Sequence, residues 1–313
     1  MQLERVSGVM LRIELTMRAL IKASPPEQFK SIPTIFEHYF PRTCPHPELS
    51  VFGATGLQGS AVVDALLKDG TFTPRAITRN PDSETSLKLK ERGVQVVKAD
   101  SGDKASLVSA LQGSEAVFGV TVPILPAIRA SGPNELTQGK NMVDASKEAG
   151  VKFFIFSSLP SLIKLSGGKY TNVSSYEDKD AIEEYLRASG IANASLLLGT
   201  FLENFWTHGN LKKTSTGFHI SAPGNYSLSS LFTWVQHDVS ESVLALLKSY
   251  TDRTKNISGK SYPVLTALYA AHSEYNGIFT AEQVRNPHLV TLGAKFGSME
   301  EFMEVEIKKR FGQ

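Results

Sequence analysis

The chain has 313 residues, of which 41% are hydrophobic and 20% are charged, and its formal net charge is only +2. This balance is typical of a soluble globular protein and offers no strongly basic surface to a nucleic acid. The single cysteine, Cys44, excludes an intrachain disulfide, and no Cys/His spacing predicts a metal site. Apolar runs are far shorter than the roughly 20 residues of a membrane helix, so we expect no membrane contact. We expect a cytoplasmic protein, with the nucleus as the open alternative.

The first 47 residues show no pattern that predicts a fold. Apolar residues at 9–22 recur at helical spacing, which fits either a surface helix or a mitochondrial presequence, and Glu4 and Glu14 count against the presequence. Residues 24–48 are rich in proline and have no period. We therefore expect residues 1–47 to form a poorly ordered extension.

From residue 48 onward, short apolar runs alternate with runs of helical period. The predicted strands cover residues 49–53, 74–79, 94–99, 115–121, 151–157 and 192–198. The predicted helices cover residues 57–69, 84–92, 103–112, 134–149 and 176–189, and a glycine follows each of them. This alternation predicts an α/β fold, a doubly wound parallel Rossmann-type sheet with helices on both faces.

The stretch VFGATGLQGS places Gly53, Gly56 and Gly59 between the first strand and the first helix. In a doubly wound sheet, this turn lies under a pyrophosphate when one glycine allows a tight turn, another lets the backbone approach phosphate, and a third lets the helix pack closely. The helix N-terminus then adds unpaired N–H groups and a positive dipole end. The position favours a dinucleotide site over a purely structural turn.

The end of the second strand, RAITRNP, decides the type of dinucleotide. NAD binders usually place an acidic residue there for the ribose 2′-hydroxyl, whereas this chain has Arg79 followed by Asn80. The guanidinium suits a 2′-phosphate, so NADP(H) is predicted, and a solvated surface arginine is the alternative. Asp100, after the third strand, is expected near the adenine. Thr121, after the fourth, is expected near the nicotinamide.

Five motifs, GATGLQG, TRNP, VKAD, NELTQGKNMVDASKEAGVKFFIFSSLP and GTFLENFW, occur in this order, and the tail GAKFGSMEEFMEVEIKKRFG follows them. Together they resemble the NmrA-like group of atypical short-chain dehydrogenases, and the tail is similar to fungal members. The resemblance runs from about residue 48 to 265. It implies the fold and NADP(H) more firmly than a reaction, because some members resemble reductases and others resemble NADP(H)-binding regulators without demonstrated chemistry.

The catalytic residues depart from the ordinary short-chain dehydrogenase pattern. That pattern has a tyrosine proton donor with a lysine four residues later on the same helical face, and none of the nine tyrosines here has one. Tyr176 precedes Lys179 by three residues, which still puts both on roughly one face. The resemblance implies that Lys179 contacts the cofactor and acts as proton donor or base; an exposed helix lysine is the alternative. Ser157 and Ser158 either orient a substrate or cap a strand.

The resemblance also implies contacts from GTFLENFW, residues 199–206, to the nicotinamide end. Three aromatics, Phe201, Phe205 and Trp206, either wall an apolar pocket or are core aromatics that join the lobes. Asp238 is interpreted as a helix cap. The complete set of predicted cofactor-binding residues is Gly53, Ala54, Thr55, Gly56, Leu57, Gln58, Gly59, Arg79, Asn80, Asp100, Ser101, Thr121, Lys179, Phe201 and Asn204.

These observations predict an NADP-binding Rossmann domain at 48–198 and a small C-terminal α/β substrate lobe at 199–313, interleaved with the sheet. The region after Ala270 looks short against family members, which puts substrate binding in doubt more than cofactor binding. We expect an NADP(H)-dependent oxidoreductase that reduces a small, largely apolar carbonyl or conjugated metabolite, in fungal secondary metabolism by resemblance. The alternatives are a silent NADP(H)-sensing regulator with a protein partner, or an inactive degenerate reductase. A homodimer is left open.

Overall fold

The computed structural model describes residues 46–122, 134–171, 174–209, 211–215, 217–220, 230–250, 255, 257–264, 267–269 and 285–311. The predicted extension up to residue 45 and the segment directly after Ala270 lie outside these residues. The stretch from His46 to Gln313 forms one compact unit.

A seven-stranded sheet carries the fold, and every pair of neighbouring strands in it is parallel. The strands are β1 Glu48–Phe52, β2 Thr73–Thr78, β3 Gln95–Lys98, β4 Ala116–Gly119, β5 Phe153–Ser158, β6 Ala192–Leu198 and β11 Lys260–Val264. Their order across the sheet is β11-β6-β5-β4-β1-β2-β3. Because the strand order reverses between β1 and β4, a crevice opens at the carboxyl ends of these two strands.

Helices connect the strands and cover the sheet. They are α1 Leu57–Asp69, α2 Glu84–Glu91, α3 Lys104–Leu111, α4 Glu135–Glu148, α5 Leu162–Leu165, α6 Ser174–Ala188, α7 Asn204–Thr207, α8 Ser240–Tyr250, α9 Pro287–Thr291, α10 Met299–Phe302 and α11 Lys308–Phe311. Successive strand residues point to opposite faces, so Phe153 and Ile155 pack in one buried cluster while Phe154 and Phe156 pack in another. The predicted doubly wound α/β fold is confirmed.

Smaller elements follow β6. The strands β7 Thr200–Phe201, β10 Ser230–Thr233 and β12 Ala267–Tyr269 form a three-stranded sheet, and β8 Leu211–Thr214 pairs with β9 Gly217–Ile220 in an antiparallel hairpin. Two π-helical turns, Val235–Val239 and Met303–Ile307, lead into α8 and α11. The edge strand β11 joins the main sheet although β7 to β10 and α8 separate it from β6 in the chain.

The interpretation of Asp238 as a helix cap is wrong, because the helical run already begins at Val235. Its carboxylate lies inside the π-helical turn and accepts the Gly297 N–H at 2.8 Å, so it does not cap the helix. The buried Glu203 accepts the N–H groups of Val235 and Gln236 instead, at 3.2 and 3.0 Å. Burial raises the pKa of Glu203.

Candidate functional site

The glycine turn lies at the carboxyl end of β1, at the crevice where the strand order reverses. Gly53 has a positive φ of 62°, and its carbonyl accepts the N–H of Gly56 at 2.8 Å. Both glycines and Thr55 between them are exposed, so the turn faces outward from the sheet edge. The sequence prediction of a tight turn at this position is therefore matched by its backbone.

Two of the three glycines are required by the packing of the protein itself. A Cβ on Gly59 would lie 2.2 Å from the carbonyl oxygen of Gly53, so α1 packs directly against the turn. A Cβ on Gly53 would lie 2.8 Å from Cγ1 of Val120, in addition to the strained φ. Gly56 differs, because its extended backbone (φ −97°, ψ 177°) suits any residue. Its Cβ would lie 3.3 Å from the Gly53 carbonyl oxygen.

Gly56 leaves the N-terminus of α1 without a side-chain cap. In contrast, α2, α3 and α4 begin with side chains that accept N–H groups of their first turn, from Ser83, Asp103 and Asn134. The first N–H groups of a helix have no partner within it. The 13-residue α1 therefore presents donors and a positive dipole end beside the exposed turn. Nearby, Oε1 of Gln58 is buried and has no hydrogen-bond partner among the described residues.

Arg79 and Asn80 follow β2 at the same edge of the sheet. Arg79 is exposed, and no described residue forms an ion pair or hydrogen bond with its guanidinium. The Asn80 carboxamide oxygen accepts the N–H of Asp82 at 3.2 Å, and its main-chain carbonyl accepts the Ser86 hydroxyl at 2.8 Å. The backbone is thus fixed by local contacts while the Arg79 side chain remains available.

Asp100 and Ser101 follow β3 and are held by their own loop and by α4. The Asp100 carboxylate accepts the Gly102 N–H at 2.8 Å, and the Ser101 hydroxyl donates to Oε1 of Gln138 at 3.0 Å. Asn141 donates to the Ser101 carbonyl at 2.9 Å. These contacts order the loop at the carboxyl edge and leave one carboxylate oxygen of the exposed Asp100 for other partners.

Lys179 lies in a buried polar cluster beside the glycine turn. Its Nζ is 2.8 Å from Oγ1 of Thr121, 3.3 Å from the Thr121 carbonyl and 3.1 Å from Oε1 of Glu135. The Thr121 hydroxyl donates to the same Glu135 oxygen at 2.7 Å. Thr121 directly follows Val120, whose side chain would clash with a Cβ on Gly53. The polar cluster therefore lies next to the glycine turn. With 6% of its surface exposed, Lys179 is not the exposed helix lysine of the alternative interpretation.

Glu135 is the member of the cluster that sequence reasoning missed. It is 1% exposed and forms the first residue of α4, after the cap Asn134. An acidic residue in a first helical turn normally complements the helix dipole in solvent, so its type and position gave no sign of burial. The second carboxylate oxygen, Oε2, is buried and has no hydrogen-bond partner among the described residues.

Burial shifts the pKa of both predicted catalytic side chains. Burial lowers the pKa of the Lys179 ammonium, and the Glu135 carboxylate opposes that shift. Nζ also lies 5.7 Å from the ring centre of Phe156, a distance that allows a cation–π contact. Burial raises the pKa of the Tyr176 phenol, and within the described chain no hydrogen bond joins Tyr176 to Lys179.

The remaining predicted residues lie either at the carboxyl edge of the main sheet or in the aromatic cluster around Phe302. Ser157 and Ser158 are buried at the end of β5, and the Ser158 hydroxyl approaches the Lys179 carbonyl at 3.4 Å. Phe201 packs against the main core, and Asn204 begins α7. Phe205 and Trp206 pack on Phe302, with Trp206 stacked at 5.6 Å between ring centres. These last two aromatics therefore belong to a packed cluster, as the core interpretation expected.

The part of the chain that the structure describes contains neither a metal-ligand cluster nor a membrane-spanning helix. Within it, no three His, Cys, Asp or Glu side chains are grouped so as to hold a metal ion. No helix in that part is long and apolar enough to cross a bilayer.

Comparison with known proteins identifies the family. Over 160 residues, the chain is 39% identical to the NmrA-like family domain-containing oxidoreductase FrzB of Cladobotryum sp, and the match covers 50% of this chain and 47% of that protein. The chain thus spans about half the length of the curated relatives it matches. Two crystal structures of NmrA, described as a negative transcriptional regulator, were solved with NAD and with NADP. Each aligns with a TM-score of 0.61 at 19% identity, covering 73% of this chain and 69% of theirs.

These structural likenesses agree with the observed Rossmann-type sheet. The model of the NmrA-like family matches residues 46–269, which include the glycine turn, Arg79, Glu135 and Lys179. The chain belongs to the NmrA-like family.

Proposed function

We propose that the protein binds NADP(H) along the carboxyl edge of the sheet, with the pyrophosphate on the turn from Gly53 to Gly59. The uncapped N-terminus of α1 supports this proposal, because its free N–H groups and positive dipole end suit phosphate charge. The exposure of Gly53 and Gly56 supports it as well, since backbone there is open to a ligand. The NAD and NADP complexes of NmrA, which has the same fold, support a dinucleotide as the ligand.

Arg79 supports the 2′-phosphorylated form of the cofactor. Its guanidinium has no partner among the described residues, and a planar guanidinium pairs well with phosphate oxygens. Asn80, Asp100, Ser101 and Thr121 complete the proposed contacts from the ends of β2, β3 and β4. Phe201 and Asn204 complete the proposed set at the nicotinamide end.

We further propose that the protein is an oxidoreductase that reduces a small, largely apolar carbonyl or conjugated metabolite, within fungal secondary metabolism. The bound nicotinamide would supply the hydride. The observation that carries the proposal is the buried ammonium of Lys179, which adjoins the glycine turn through Thr121 and Val120. Reduction leaves negative charge on the substrate oxygen, and a cation within hydrogen-bond reach lowers that barrier.

Tyr176 is proposed to assist Lys179 rather than to replace it. Its partly buried phenol lies on α6, three residues before Lys179, and burial holds its pKa above the ordinary value. A phenol in that state retains its proton at neutral pH and can donate a hydrogen bond to a substrate. Proton transfer is assigned to Lys179, because burial lowers the pKa of its ammonium while burial raises the pKa of the Tyr176 phenol.

A second function, a catalytically silent NADP(H) sensor, is favoured by one specific observation. Three acceptors, two on Thr121 and one on Glu135, surround the ammonium of Lys179, which has three N–H donors. In this arrangement no donor is left for a substrate unless one contact is exchanged. A sensor would instead need oxidised and reduced cofactor to stabilise different conformations. The NmrA structures, described as those of a transcriptional regulator, are compatible with that role.

Turnover measurements distinguish the two functions. NADPH oxidation is followed at 340 nm against a panel of enones, ketones and quinones, with Lys179→Met beside the unaltered chain. A reductase should oxidise NADPH with at least one compound, and Lys179→Met should lower that turnover by about two decades, the scale of general acid catalysis, with a smaller change in NADPH affinity. Tight NADPH binding without turnover on any compound, and a partner protein captured in only one redox state, would establish the sensor instead.

A further inference from the structure

The buried cluster around Lys179 contains one charged group that the proposed chemistry has not used. Glu135 is almost fully buried, and Oε1 is shared by the Thr121 hydroxyl and the Lys179 ammonium. A buried carboxylate is costly unless it is paired, so its place beside a buried lysine needs an explanation. The three residues come from three parts of the chain, the end of β4, the start of α4 and the middle of α6.

We propose that Glu135 keeps Lys179 protonated, and thereby makes Lys179 the proton donor rather than the base of the site. Removal of an amine from water favours its neutral form, and an adjacent carboxylate favours the charged form. At 3.1 Å the carboxylate is the nearest opposite charge to Nζ. Glu135 is therefore a positioning residue that acts through Lys179, and the inference rests on the proposed reductase function only for its consequence in turnover.

The other groups that face Lys179 do not supply this effect. Thr121, at the end of β4, offers two neutral oxygens, and Phe156, on β5, offers a ring face at 5.7 Å. On α6 itself, the Asp178 carboxylate favours the ammonium more weakly than Glu135 does. Among the described residues, Glu135 is consequently the main source of negative charge at Nζ.

The same arrangement defines the proton transfer. One N–H bond of the ammonium breaks and an O–H bond forms on the substrate oxygen, which leaves a neutral amine that regains its proton from water. The longest of its contacts, 3.3 Å to the Thr121 carbonyl, is the one most easily exchanged for the substrate. Oε1 of Glu135 holds Nζ in position throughout. Turnover should then decline as pH rises through the pKa of Lys179.

The test is a titration of Lys179 in the full chain without cofactor. The ¹⁵N resonance of its Nζ, assigned by its loss in Lys179→Met, is followed against pH in the unaltered chain, in Glu135→Gln and in Glu135→Asp. Glu135→Gln keeps a hydrogen-bond acceptor but removes the charge, so the midpoint should fall by about 1–3 pH units. Glu135→Asp keeps the charge and should restore at least half of that difference.

Glu183→Gln is the matched control. Glu183 is a second buried carboxylate, 5% exposed, and lies on α6 one turn beyond Lys179, where it binds Arg187 and Ser261. Its replacement should leave the Lys179 midpoint unchanged. A folded Glu135→Gln chain with an unaltered Lys179 midpoint would overturn the inference. Should Glu135→Gln not fold, the titration of the unaltered chain decides: a Lys179 side chain that is already a neutral amine at pH 7 would overturn the inference, because Glu135 would then not keep it protonated.

The pH dependence of turnover gives a second, separate test. If a substrate is found, the pH at which turnover declines in Glu135→Gln should move down by the same amount as the NMR midpoint. An NMR shift without any turnover on the panel would support the role of Glu135 and reject the reductase. Turnover together with an unchanged Lys179 midpoint in Glu135→Gln would support the reductase and reject the role of Glu135.

Discussion

Two cations at the same edge of the sheet lie in opposite surroundings. Arg79 is exposed at the end of β2 and has no partner among the described residues, whereas Lys179 is buried and contacts three oxygen atoms. An exposed charge can be offered to a ligand at little cost to the fold, because water solvates it in the free state. A buried charge depends on its partners, and its protonation is set by them. This difference is the reason why we propose binding for Arg79 and chemistry for Lys179.

The glycine turn that adjoins this edge gives the largest expected effect. Substitution of Gly53 or Gly59 would disturb the fold, since their Cβ atoms would meet Val120 and the Gly53 carbonyl. Gly56→Asp is a cleaner change, because aspartate is a favoured cap and stabilises α1 while it places a negative charge at the proposed phosphate site. NADPH and NADH binding should both be abolished with no loss of thermal stability.

Gly56→Ser is the control for that prediction. Serine adds the same Cβ, 3.3 Å from the Gly53 carbonyl oxygen, and also caps the helix, but it carries no charge. Fluorescence titration with both cofactors and thermal unfolding of the three chains give the comparison. Equal affinity in the Asp and Ser variants would show that no phosphate approaches this helix.

Removal of the buried cation should affect stability as well as turnover. Lys179→Met leaves the Glu135 carboxylate buried without its counterion, and loss of one partner of such a pair costs about 3 kcal/mol or more. The double variant Lys179→Met with Glu135→Gln removes both charges and should recover most of that loss. Urea unfolding of the two single variants and the double variant measures the coupling, and strictly additive changes would contradict a buried ion pair.

Replacement of the exposed cation should give the smallest and most selective effect. Arg79→Ala should lower the affinity for NADPH by about one to two decades, which corresponds to the loss of one charge-assisted contact. The affinity for NADH should change little. Stability should stay within about 0.5 kcal/mol, as for other surface positions. Lys152→Ala, an exposed cation just before β5 at the opposite edge of the sheet, controls for net charge. Equal loss of both cofactors would withdraw the 2′-phosphate assignment.

Local sequence patterns predicted most of the main sheet and its helices. The first helix has its predicted bounds, and β5, predicted at 151–157, lies at Phe153–Ser158. This success has a physical basis, because parallel strands buried on both faces need continuous apolar runs and each helix needs a periodic apolar face. The seventh strand, β11, was missed because Pro263 interrupts its pattern. Proline is tolerated there since β11 is an edge strand of the described sheet.

The site was predictable only in part. Gly53, Gly59, Arg79 and Thr121 could be proposed as site residues from the sequence, because turn chemistry and strand ends are local features of the chain. The pairing of Lys179 with Glu135 was not, since the two residues lie on different helices far apart in the chain and nothing in a first-turn glutamate signals burial. The sequence by itself determined the alternation of strands and helices and the glycine turn. Only the tertiary structure decided which charges are buried together, because that depends on how α4 and α6 pack beside the end of β4.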